Sequence, residues 1–129
     1  MAAALDQEII SLDDPVAHAN RPVILHGVAT YCATLPPTEA TWQDVLTHRC
    51  PGPMQDLAGK LDLTQVFTDF GLSQAPQLPL NTETAVSPPP ANPALAMIGQ
   101  DTLIVTPLQV GVAWAALAAN GRLPELQIV

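Results

Sequence analysis

GQDTLIVTPLQVGVAWAALAANG, residues 99–121, holds the best-marked helix of the chain, and the rest is read outward from it. The Thr106 hydroxyl suits the cap of a first turn, Pro107 fits the first helical position because its missing N–H would be unpaired there anyway, and Gln109 stands where a capping box needs it. From Leu108 to Ala119 nearly every residue is apolar or small, and Asn120-Gly121 supplies a left-handed stop. With no polar side to meet water, this helix is expected to be buried as the central helix of the fold. Its apolar run, Val110 to Ala119, falls well short of the roughly 20 residues needed to cross a bilayer.

Composition narrows the possibilities. A chain of 129 residues is one domain or a piece of one. Four basic residues against twelve acidic ones leave a net charge of −8, with no basic surface to follow phosphates, so nucleic acid and anionic membrane surfaces are excluded as partners. Fourteen prolines with few aromatic residues point to long irregular connections around a core of Leu, Val, Ile and Ala. MAAALDQEII lacks the basic and apolar blocks of a signal peptide, and no segment is long enough to span a membrane, so a soluble chain is expected.

Residues 2–10 read as a helix ended by the turn Ser11-Leu12-Asp13-Asp14-Pro15. Residues 16–37 show no clear period and read as loop, with Val23 to Leu25 as a short strand. Thr41 opens a helix with Trp42, Val45 and Leu46 on one face and Asp44 in the capping-box position. Pro51-Gly52-Pro53 breaks it, and Met54, Leu57, Ala58 and Leu61 trace the stripe of a second helix. A third is capped by Asp62, turns Leu63, Val66, Phe67 and Phe70 inward, and stops at Gly71. Residues 73–96, rich in Pro, Asn and Thr, read as a long extended loop that wraps the helical body.

Several of these pieces, in this order, resemble the transpeptidase domain of penicillin-binding proteins. They are Ile98-Gly99-Gln100, Thr106-Pro107-Leu108-Gln109 and Ala115-Ala116-Leu117-Ala118-Ala119-Asn120-Gly121, preceded by the helices around Arg49-Cys50-Pro51 and by Phe70-Gly71-Leu72. The likeness runs over about residues 2–129. It implies a mainly α fold, the helical subdomain of a transpeptidase-like domain with long Pro-rich loops and little or no sheet. Residues 2–72 would form the N-terminal helices, 73–98 the loop, and 99–121 the turn and buried helix ahead of the family's active-site strand.

The family's chemistry is missing at each place where it belongs. Its serine nucleophile lies in Ser-x-x-Lys, where the lysine accepts the serine proton, yet none of Ser11, Ser73 or Ser87 has Lys three residues later. The Ser-x-Asn slot holds Arg49-Cys50-Pro51; arginine relays no proton at neutral pH, and proline has no side-chain amide. Lys-Thr-Gly does not occur in Arg122 to Val129. Truncation would account for the first and third motifs, but only degeneration accounts for the second. The resemblance therefore implies a non-catalytic remnant of a domain related to peptidoglycan cross-linking enzymes. It would serve as a scaffold that docks a protein partner or self-associates through apolar surface the missing sheet would have covered. Two other readings stay open: an active D,D-transpeptidase half completed by another chain, and a small helical adaptor whose likeness is capping chemistry alone.

Cys32 and Cys50 are open to two states. Paired, they close a loop of about 18 residues, worth on the order of 3 kcal/mol by chain entropy; unpaired, they are two buried thiols. The family's extracytoplasmic location would favour the disulfide. His18, His26, His48 and the cysteines match no zinc-ligand spacing, so neither metal nor cofactor is expected, and His48 with Cys50 lies two apart on a helix, where side chains do not face each other. Arg49 reads as a loop charge within reach of Asp44 or Asp56; beside a surviving pocket its guanidinium would hold a carboxylate such as a peptide C-terminus.

Overall fold

The computed structural model describes residues 1–76, 78 and 89–126. Among these the chain is mostly helix and loop. Six helices, α1 (Ala2–Asp6), α2 (Trp42–Thr47), α3 (Pro51–Asp56), α4 (Leu63–Asp69), α5 (Pro93–Ala96) and α6 (Pro107–Ala118), accompany one antiparallel pair, β1 (Val23–Leu25) and β2 (Val28–Thr30). No described helix is long and apolar enough to cross a membrane. The chain forms two compact units, Met1–Leu61 with Asn92–Gln100, and Asp62–Ala91 with Asp101–Val129. Of the expected wrapping loop, residues 77 and 79–88 lie outside the described residues.

In the first unit, Ala4, Ile10, Ala19, Val23, Ala40, Trp42, Val45, Cys50, Leu57 and Leu61 are buried. The loop 12–16 and the approach to α2 are laced together: the N–H groups of Trp42 and Gln43, orphaned at the helix start, donate to the carbonyls of Asp14 and Leu12 at 3.2 and 3.0 Å. Val16 N–H donates in turn to the Ala40 carbonyl at 2.7 Å. His26 and Gly27 join β1 to β2, both with positive φ (49° and 82°), the conformation of a two-residue turn whose twist matches a hairpin. Gly52 is tightly enclosed, since a Cβ there would overlap the carbonyl oxygen of Arg21. Arg21 also spans to α3, donating from Nη2 to the Gly52 carbonyl and to Asp56 Oδ1, each at 2.7 Å.

Several helix assignments differ from expectation, among them the end of α3, which stops at Asp56 and leaves Leu57, Ala58 and Leu61 of the expected stripe beyond it. The first helix ends at Asp6 rather than near Ile10, because Glu8 turns left-handed (φ 54°) and the Ile9 N–H closes back on the Ala4 carbonyl at 2.9 Å. Pro51-Gly52-Pro53 begins α3 instead of preceding it: a proline that cannot continue one helix is well suited to the first turn of the next. The Pro-rich loop also contains α5, where the Asn92 side chain accepts from the Leu95 N–H at 3.2 Å.

At the start of α2, Asp44 Oδ2 accepts from the Thr41 backbone N–H (2.8 Å) and the Thr41 hydroxyl (3.0 Å). These bonds favour the carboxylate, the backbone one most, and hold its pKa below the ordinary value. Asp44 therefore stabilises the fold fully above about pH 4, and that contribution is lost as pH falls through the depressed folded value. Thermal midpoints followed from about pH 5 to 2 should fall more steeply for the native chain than for Asp44→Asn. Equal slopes would mean that the cap carries no linkage.

In the second unit, α6 has the predicted start. Gln109 N–H donates to Thr106 Oγ1 (3.2 Å) and Thr106 N–H to Gln109 Oε1 (2.8 Å). Asn120 and Gly121 end it with positive φ, and the Gly121 N–H closes on the Ala116 carbonyl at 2.8 Å. The helix is not the buried centre of the fold, however. Only Gln109, Val112 and Ala116 are buried, one strip of its surface, while Trp114 is 69 % exposed and Leu108, Val110 and Leu117 are exposed too. Among the described residues this unit holds one other helix, α4.

Candidate functional site

The junction between α2 and α3 carries Arg49, Cys50 and Pro51. The Cys50 N–H donates to the Val45 carbonyl (2.9 Å) and the Arg49 N–H to the Leu46 carbonyl (3.2 Å), a paired closure that forces the residue after the cap into the left-handed region. Arg49 occupies that position with φ 53°. At the end of α4 the same closure is made by Gly71 (φ 70°), with Leu72 N–H on the Phe67 carbonyl and Gly71 N–H on that of Thr68. A side chain there costs on the order of 1 kcal/mol relative to the unstrained helical conformation. Arginine is thus kept at a position where glycine fits more easily.

A disulfide joins Cys50 to Cys32 and holds the junction against the loop 32–34. On the same loop the Ala33 N–H donates to the His48 carbonyl (2.9 Å), and Thr34 Oγ1 is hydrogen-bonded to His48 Nδ1 (2.7 Å). Cys50 is buried and bonded, so it offers neither a nucleophilic thiolate nor a metal ligand. Pro51 opens α3, where its lack of an N–H costs nothing. Among the described residues no three His, Cys, Asp or Glu side chains converge as a metal site.

Beside this junction lies a groove of about 310 Å³ lined by Val45, Leu46, Arg49, Cys50, Pro51, Met54, Met97 and Ile98. Its walls come from α2, α3 and the turn after α5, all in the first unit. The two methionines and Ile98 are half-buried, and Leu46 and Arg49 stand at the exposed side. Neither expected partner takes Arg49: Asp56 is bonded to Arg21, and Asp44 is held by Thr41. Among the described residues the Arg49 guanidinium has no ion pair or hydrogen bond. Met97 and Ile98 lie far along the chain from Arg49, and nothing in their local pattern signals the meeting.

A second surface stands on α6. Val110, Trp114 and Leu117 line a shallow groove of about 220 Å³ with Leu72, Leu103, Val105 and Ala113. It has no charged or hydrogen-bonding side chain besides the indole N–H. Its chemistry is contact with another apolar surface. Compared with protein-family models, with curated proteins and with solved structures, the chain finds no match.

Proposed function

We propose that this chain is a non-catalytic remnant of a penicillin-binding transpeptidase domain, working as a scaffold or interaction module in cell-envelope assembly. The observation that carries the reading is Arg49-Cys50-Pro51 in the Ser-x-Asn slot. Arginine relays no proton at neutral pH, Cys50 is tied into a disulfide, and Pro51 has no side-chain amide to hold a substrate. Two further features support it. The apolar side of α6, with Trp114 at its centre, is the kind of surface left bare when a covering sheet is lost. The disulfide suits the oxidising compartment in which the family works.

The decisive test is labelling of the intact chain with a fluorescent penicillin, read by intact-mass spectrometry. The expected mass is that of the unmodified chain, because acylation needs an activated serine. A penicillin adduct on Ser11, Ser73 or Ser87 would overturn the non-catalytic reading.

A further inference from the structure

We infer that the groove beside Arg49 is a binding site for the C-terminal carboxylate of a peptide ending in an apolar residue. The carboxylate would sit on the guanidinium and the last side chain among Met54, Met97 and Ile98. The inference rests on the groove itself and not on the transpeptidase reading.

Three observations meet here. The first is charge: the chain has twelve acidic residues and four basic ones, yet Arg49 pairs with no carboxylate among the described residues. An unpaired guanidinium presents a planar fork of donors that matches a carboxylate in two parallel hydrogen bonds. The second is surroundings: apart from Arg49, every side chain lining the groove is apolar or the Cys50 disulfide, so an occupant must join one anionic group to apolar surface. Methionine side chains suit that role, since they adapt to side chains of different shape. The third is backbone: Arg49 holds a left-handed conformation that favours glycine, and the disulfide, the Ala33–His48 hydrogen bond and Pro51 fix the segment around it. That rigidity presets the direction in which the Arg49 side chain leaves the backbone. A volume near 310 Å³ lies at the small end for ligand pockets, matching a terminal residue rather than a long peptide or a cofactor.

The full chain carries three methionines, Met1, Met54 and Met97, so ¹³C-methyl methionine labelling places two reporters in the groove and one outside it. The probes are N-acetyl-alanyl-leucine as the free acid, the same dipeptide as its C-terminal amide, and butyrate. Saturable shifts of the Met54 and Met97 methyls with the acid are expected at millimolar concentration, with Met1 unmoved and the amide weaker by about tenfold. Arg49→Asn keeps a residue type that tolerates positive φ and removes the charge, and it should erase the preference for acid over amide. Arg49→Lys should retain part of it, because it keeps the charge without the fork. No shift of Met54 or Met97 with the acid, equal binding of acid and amide, an undiminished preference in Arg49→Asn, or butyrate binding as tightly as the dipeptide would each overturn the inference.

Discussion

Replacing Gln109 by leucine is expected to lower the unfolding free energy by about 3 kcal/mol, although the exchange puts an apolar side chain into a buried position. Gln109 is fully buried, and its side-chain amide ties three backbone groups together. Nε2 donates to the carbonyls of Leu72 and Gln74, both at 3.1 Å, while Oε1 accepts from the Thr106 N–H. Leucine would leave two carbonyls and one N–H without those partners, at about 1–3 kcal/mol for each buried group that finds no water, against about 1.5–3 kcal/mol gained by apolar burial. The loss exceeds the gain. Gln109→Glu should be worse at neutral pH, because it points a carboxylate oxygen at two carbonyl oxygens and buries a charge. Urea unfolding followed by the fluorescence of Trp42 and Trp114 and by circular dichroism measures both. A Gln109→Leu protein as stable as the native one would show that the loop 72–74 finds other donors and that this amide does not hold it to α6.

The second large effect belongs to the disulfide. Cys32→Ala with Cys50→Ala should lower stability by about 3 kcal/mol, since the bridge closes a loop with a sequence separation of 18. The alanine at position 50 also leaves a small gap in a buried place, which adds to the loss. A dithiothreitol titration of the native chain, read by the thermal midpoint, should reproduce most of the shift without any gap. If reduction leaves the midpoint unchanged, the hydrogen bonds of Ala33 and Thr34 to His48 suffice to pin the junction.

The residues that announce an element locally are those the sequence makes readable. Thr106, Pro107 and Gln109 act on neighbours within one helical turn, as do Asp62 with the N–H groups of Thr64 and Gln65, and Gly71 at the end of α4. What α6 packs against was not legible. A helix apolar all round has no polar side to show which face is covered, so burial was expected where Trp114 is exposed. The hairpin was hidden for another reason: His26 takes a place where asparagine or glycine would have marked the turn. Asn92-Pro93 repeats the cap-then-proline signal of Thr106-Pro107, but it was submerged in a run of prolines. Of the candidate site, the identity of Arg49, Cys50 and Pro51 could be read; the groove could not. It depends on Met97 and Ile98 meeting α3 across more than forty residues, and on Arg21 rather than Arg49 taking Asp56.

The return of residues 92–100 to the first unit has a consequence for synthesis. A nascent chain whose Leu61 has just emerged still lacks α5, the helix that packs on α3, and residues 62–91 must emerge before it arrives. At about 5–20 residues per second, α3 waits about 2–6 seconds for its cover, and until then Met54 lacks the groove wall that Met97 and Ile98 supply. The first unit cannot finish folding vectorially, from the N-terminus onward. Its last contacts close a long loop, and that closure pairs the completion of the groove with the synthesis of the segment leading into α6.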